Sequence, residues 1–512
     1  MAENLASFKV FCQGGLNTSR DVLSQGETQP GSAVALINYE PAVTGGYRKI
    51  NGFSNDYGTV TGTGNVLGVC VANGINDGIL ACRTPSSGNN YLHYWNTATS
   101  AWVAVTTSGS PTMTGVTKVR FTKYNWSSPK VLLTDGINPA AIYDGTTYTQ
   151  ITHADAPTDP KYSAVFQNHM FLAGDPSEQT NLYFSAPYDE TDYSASSGAG
   201  VINVGFPIVA IKSFRDSLYV FGSNNIRKIV GNNISNFVLQ EVTDDLGCLA
   251  TDSVIEIGGD LLFLSQDGLR PISGTDKIGD VNLETVSKDI QSIFTDIVFD
   301  IDLEGLNAVV IRQKTQFRYF FAAADSQGII GGFRQTPNGL QFEYSQMLGI
   351  TATCSDSGYI GQNEFVIHGD SSGKVHRQEQ GNDFDGENIL SIFQTPFFHM
   401  QDPEQRKIFY TVATYLRSEG DNEIVMSAVY DYEDVDTLNP TNFNLSTTGA
   451  AAYYNEALYN STAIYDGNPS PVQRTNISGS GKSASFRYVT NSSDASHSIQ
   501  GLVITFGVGD RL

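Results

Sequence analysis

Gly369-Asp370-Ser371-Ser372-Gly373 fits the G-x-S-x-G pattern of a serine nucleophile, with His368 and His376 nearby as candidate bases. That chemistry needs a strained strand-to-helix elbow that exposes the hydroxyl to its base. Here the five residues lie between EFVIH and KVHRQE, two strand-like runs, so a hairpin turn is expected instead. Gly479-Ser480-Gly481-Lys482-Ser483 imitates the end of a phosphate-binding loop. Asn476 stands where the first glycine of that pattern belongs, and strand-like ASFRYV replaces the helix that must follow. Asp300, Asp302 and Glu304-Gly305 begin like an EF-hand loop, but the twelfth position is Ile311, which offers no carboxylate. Asp383, Asp385 and Glu387, clustered around Gly386, are candidate Ca²⁺ ligands through oxygen, with a solvated acidic turn as the plainer reading. The seven His residues show no H-x-x-x-H spacing on a plausible helix, so no zinc site is supported. The expectation is a protein without catalytic residues or a cofactor.

Cys12, Cys70, Cys82, Cys248 and Cys354 are odd in number and contain no C-x-x-C pair, which favours buried, reduced thiols over disulfides. Thirty basic residues against 53 acidic ones give a net charge of −23, which argues against a broad electrostatic grip on nucleic acid. The opening MAENLASFKVF does not read as an export signal, and no run of about 18 apolar residues is present to span a membrane.

The elements that must position any site are strands. Fifty Gly residues, with many Thr, Ser and Asn, point to turns. LYVFGSNNIRKIVG and LLFLSQDGLRPISG are nearly the same hairpin written twice, turning at 222–225 and 266–268. Asn76-Asp77-Gly78 and the Asp-Gly pairs at 135–136 and 144–145 mark further turns. Hairpins recurring at roughly 40–50 residues suggest propeller blades. Six or seven are expected across 56–385. The segment LETVSKDIQSIF places Leu283, Val286, Ile290 and Ile293 on one face, the one helix expected. Beyond 386 the strands lengthen, and the alternation of Ile424, Met426, Ala428 and Tyr430 suggests a sandwich with one buried face. The apolar run 8–11 reads as a strand that joins this C-terminal domain. The chain is therefore expected to be all-β: a β-propeller (56–385) inserted into a β-sandwich platform built from segments 1–55 and 386–512. In the long loop of that platform Tyr454, Tyr459 and Tyr465 each precede Asn or Asp, and they are interface candidates because Tyr is enriched in contact surfaces.

Several of these stretches, taken in order, carry a resemblance. DPKYSAVFQNHMFLAG, NLYFSAPYDETDYSA, PIVAIKSFRDSLYVFGSNNIRKIVG and DLLFLSQDGLRPISG resemble the propeller core of the tail nozzle proteins of short-tailed bacteriophages, also called tail tubular or DNA-stabilisation proteins. GGLNTSRD (14–21), with LINYEPAVTGGYRKINGF (36–53), is similar to the opening segment of that family, and IQGLVITFGVGDRL (499–512) to its last strand. That strand often closes in a Gly-Arg pair, and here Asp510 separates Gly509 from Arg511.

The resemblance implies a structural virion protein, assembled in the host bacterial cytoplasm and placed in the virion tail. It implies a homohexameric ring below the adaptor ring, with tail fibres as further possible partners. Its lumen would continue the DNA channel, retain packaged DNA and pass genomic duplex DNA without specific binding. The alternative is a carbohydrate-binding or depolymerising propeller at the tail tip. Against it, the sialidase box S-x-D-x-G-x-T-W is absent, SQDGLRP being the nearest approach.

Overall fold

The computed structural model describes the chain except residues 1–4, 44, 87–90, 112, 274–284, 301–302, 322–326, 337–338, 401, 435–436, 448–450, 453–463, 466–470 and 509–512; the side chains of 297–300, 335–336, 339–340, 451–452 and 464–465 are also outside the description.

Strands dominate, and seven of them stand innermost around an axis. In chain order these are Thr63–Val71, Arg120–Asn125, Tyr162–Phe166, Ala210–Phe214, Ile255–Ile257, Asn307–Ile311 and Cys354–Ile360. Neighbours in this order touch, the fourth reaching the fifth blade through the turn Thr251–Ser253 that leads into Ile255–Ile257, and the seventh returns to the first, so the ring closes with seven blades. Most blades are four-stranded antiparallel meanders. The two near-identical hairpins noted above are equivalent parts of blades 4 and 5. Ser217–Phe221 turns back at Phe221↔Ile226, and Asp260–Ser265 at Ser265↔Gly268.

The blades stack because their second strands are apolar on both faces. In Pro129–Thr134 of blade 2, Val131 and Leu133 pack with Cys70, Leu80 and Cys82 of blade 1. Leu132, between them, faces the other way and packs with Met170 and Leu172 of blade 3. A period of two thus serves two interfaces at once. The same alternation puts Phe171 and Leu182 of blade 3 against Leu218 and Val220 of blade 4. All five cysteines are buried and unpaired, four of them (Cys70, Cys82, Cys248 and Cys354) within the propeller. Burial pushes the thiol of Cys12 up to about 12 and that of Cys248 to about 11, so these are packing groups rather than nucleophiles.

Blade 7 is completed from the other end of the chain. Its strands Cys354–Ile360, Asn363–Gly369 and Val375–Gln378 receive Phe53–Ser54 as the outer strand, with Gln378 opposite Phe53. The platform is likewise built from both ends. Leu5–Phe11 pairs antiparallel with His497–Val508, from Leu5↔Gly507 to Phe11↔Gly501. That last strand also pairs with Lys407–Ser418. The facing sheet contains Ala35–Ile37, Glu387–Gln394, Ala484–Ser492 and Glu423–Tyr430. Between the sheets lie Val10, Phe409, Val412 and Ile504 on one side and Phe393, Met426, Phe486 and Tyr488 on the other. Ile424, Met426, Ala428 and Tyr430 are all buried, as their alternation predicts. The propeller is therefore inserted into a platform of N- and C-terminal strands.

Propeller and platform also meet through a buried ionic knot. Arg318 of blade 6, fully buried, pairs with Glu379 and donates to Gln378 at 2.8 Å. Lys314 reaches Glu40 at 2.7 Å, and Arg48 reaches Glu40 at 3.0 Å and Glu419 at 2.6 Å.

Two helical expectations need correction. The helix expected from 283 begins later, as Gln291–Asp300, preceded by a 3-10 turn at Lys288–Ile290; residues 283–284 lie outside the description. The cause is a competing backbone bond. Val286 N–H donates to Leu269 O, and the Ser287 hydroxyl accepts from Leu269 N–H, so 286–287 take the outer-strand place of blade 5. Ile290 and Phe294 are buried, and Val286 and Ile293 are partly so. A second helix, Val22–Thr28, stands beside the single one expected. Asp21 caps it, accepting from Leu23 N at 3.1 Å and Ser24 N at 2.8 Å.

Candidate functional site

The G-x-S-x-G stretch is a hairpin turn between Asn363–Gly369 and Val375–Gln378. Ser371 is exposed, and the Ser372 hydroxyl and backbone both donate to Asp370. His376 has its ring nitrogen 3.2 Å from the Asp370 oxygen that accepts from the Ser372 hydroxyl, so the carboxylate and not the imidazole partners the serine; its ring lies against that of His368 at 4.9 Å. In the lysine-containing stretch, Ser480–Gly481 pairs with Lys407 and Ile408, and the strand Ala484–Ser492 follows. Asp300 ends a helix, Asp302 lies outside the described residues, and Glu304 pairs with Lys161.

Asp383, Asp385 and Glu387 sit on a tight hairpin in which Phe384 opposes Glu387. Asp383 accepts from Gly386 N at 2.8 Å and Asp385 pairs with Lys374 at 3.0 Å. Among the described residues no three His, Cys, Asp or Glu side chains come together to hold a metal ion, and these three are included in that statement. Tyr454 and Tyr459 lie outside the described residues. The backbone of Tyr465 pairs with Ala452 in a two-residue bridge. Among the described residues no helix is long and apolar enough to cross a membrane.

The best-formed polar site is one that spacing does not mark. The seven innermost strands and their flanks enclose an axial cavity of about 260 Å³. Blades 2 and 5 are bridged across it. Arg120 clasps Asp252 with two parallel bonds, Nε–Oδ1 at 3.0 Å and Nη2–Oδ2 at 2.8 Å. Lys118 adds a second cation at 2.7 Å from the same carboxylate. Burial alone would raise the Asp252 carboxyl, but Arg120 and Lys118 hold it down at about 2. On the blade 7 side, Asp356 takes Lys123 at 2.9 Å and the backbone N–H of Val71 at 2.8 Å. Thr122 and Ser163 share a hydroxyl hydrogen bond at 2.7 Å. Lys212 of blade 4 completes the lining. The ion pairs bar the axis, so the bore of a single propeller is closed to a polymer.

These residues come from separate blades, so no motif could list them together. The available signal was local: VTKVRFTKYN and AIKSF carry Lys and Arg inside otherwise half-buried strands, and a charge there needs a polar interior to face.

No family model matches the chain, and no curated protein matches it. Solved structures share its outline at low similarity. Two structures of the extracellular domain of a two-component or one-component system from B. thetaiotaomicron are 11% and 12% identical, with TM-scores of 0.37 and 0.39. Each match covers 73% of this chain and 45% or 46% of the other, so the chain spans less than half the length of those proteins. BBS1N in complex with ARL6DN is 11% identical over 65% of this chain and 98% of that one, with a TM-score of 0.36.

Proposed function

We propose that this protein is the nozzle of a short bacteriophage tail, a structural component without catalytic activity. The observation that carries the reading is the insertion of the propeller between Leu5–Phe11 and its partner His497–Val508. It brings the stretches that resemble the family's opening segment and last strand together, Tyr47 pairing with Ile499, beside the propeller that resembles its core. The barred axis bears on how such a nozzle works. Duplex DNA has no path through one propeller, so the conduit must be the space enclosed by several copies. A head-to-tail contact that closes makes such a ring. In this reading six copies surround the DNA, meet an adaptor ring above, and carry enough acidic surface for the duplex to slide without sticking.

The test is electron microscopy of the purified chain, alone and mixed with the adaptor ring the reading requires. Six-fold rings with an open centre in either preparation are expected. Single copies in both would overturn the nozzle and favour an isolated, ligand-binding propeller.

A further inference from the structure

We propose that the axial cavity of the propeller is a binding site for a small oxyanion, held between Arg120 and Lys212. Three observations lead there. First, the cavity has an unbalanced charge. Its lining carries Lys118, Arg120 and Lys212 against Asp252 and Asp356, an excess of one cation in a chain whose net charge is −23. Lys123, whose ammonium also reaches Asp356, raises that excess to two.

Second, the excess sits on particular atoms. Two of the three nitrogens of Arg120 are used by Asp252, and its Nη1 is buried without a hydrogen-bond partner. The backbone of Lys212 pairs with Tyr219, but its ammonium makes no hydrogen bond or ion pair among the described residues. Burial pushes its ammonium down from the ordinary lysine range, Lys123 and Arg312 add to that, and Glu256 and Asp356 oppose it. Orphaned donors on a guanidinium and an ammonium are costly unless something accepts from them. An oxyanion accepts from both, and charge-assisted bonds of this kind are the strong ones.

Third, the size selects the ligand. About 260 Å³ is below the usual range of roughly 300–1,000 Å³ for pockets that take drug-sized molecules. Phosphate or a short carboxylate fits that space, whereas a sugar chain or a nucleotide does not. Bound there, the anion would neutralise the surplus charge and tie blade 2 to blade 4, beside the Arg120–Asp252 bridge to blade 5. The site would act as an ionic pin that stiffens the ring of blades.

Isothermal titration of the full-length chain with inorganic phosphate, and separately with acetate, tests this against chloride at matched ionic strength. Binding of at least one of the two anions is expected, and the pair separates a phosphate source from a carboxylate one. Losing one charge-assisted contact weakens affinity roughly tenfold or more, so Lys212→Met should show that loss and Lys212→Arg should retain binding. Because Lys212→Met removes an unpaired, half-buried charge, its thermal midpoint without added anion should not fall below that of the unaltered protein. Absence of heat with both anions would overturn the proposal. So would equal affinity in the unaltered protein and Lys212→Met.

Discussion

Consider Asp252→Asn. The substitution keeps the shape of the side chain and one acceptor oxygen but removes the charge that faces Arg120 and Lys118 across the axis. The carboxyl lies at about 2 in the folded protein against an ordinary value of 3.8. That displacement corresponds to about 2 kcal/mol of stability at neutral pH. Breaking a fully buried pair costs about 3–5 kcal/mol, and here both partners keep some solvent contact, so about 2 kcal/mol is the consistent figure. Because the folded value is depressed, the stabilisation is complete above about pH 4 and fades as the pH falls towards 2. The variant should therefore be weaker by about 2 kcal/mol at pH 7 and converge on the unaltered protein in acid. The assay is built into the chain. Its three tryptophans, Trp95, Trp102 and Trp126, all lie in blades 1 and 2, so tryptophan fluorescence during urea unfolding reports on the propeller and not on the platform. A loss under about 0.5 kcal/mol at pH 7, the range of an ordinary surface change, would refute the reasoning. So would a gap that does not narrow in acid.

Ser371→Ala, in the exposed turn, should change stability by no more than about 0.5 kcal/mol, and a fluorophosphonate probe should leave Ser371 unlabelled; specific labelling there would revive a hydrolase. His497 is buried between the Tyr39 hydroxyl at 2.9 Å and Asn422 Oδ1 at 3.1 Å, and burial lowers it to about 3, with Lys49 and Arg48 adding to the effect. A depressed histidine penalises the folded state as pH drops below 6.5, so the platform should lose about 1.4 kcal/mol per pH unit there. Hydrogen exchange on the strand His497–Val508 reads that slope, and an unchanged slope in His497→Gln would count against it. At Gly52 a Cβ would come within 1.7 Å of the Asp383 carbonyl oxygen, beside the strand that completes blade 7. Gly52→Ala should cost at least about 1–3 kcal/mol and speed proteolysis of residues 354–378; normal protease resistance would show that the closure tolerates the displacement.

The hairpins were readable because each depends on local chemistry. Asp144-Gly145, for example, supplies its own turn, with Gly145 at φ 91° and Asp144 accepting from Thr146 and Thr147. The buried face of Glu423–Tyr430 was readable because a period of two survives any tertiary arrangement. The start of the helix at Gln291 was not, since it is set by the distant carbonyl of Leu269. Nor was the axial cavity. Arg120, Lys212, Asp252 and Asp356 acquire their meaning only when the ring brings four blades to one axis. The number of blades was equally hidden, because blade 5 borrows 286–287 and blade 7 borrows Phe53–Ser54.

The pairing of Leu5–Phe11 with His497–Val508 imposes a timetable on synthesis. Phe11 lies 490 residues before its partner Gly501. At about 5–20 residues per second the ribosome needs on the order of 25–100 s to deliver that partner. For that interval the first strand emerges with nowhere to dock, while blades 1 to 6 can stack in the order they are made. The edge of a lone apolar strand invites pairing with the wrong chain. Lys9, in the middle of Leu5–Phe11, places a charge on that strand during the wait. Wherever several copies are translated side by side, the strand His497–Val508 decides whether each chain closes on itself or on its neighbour.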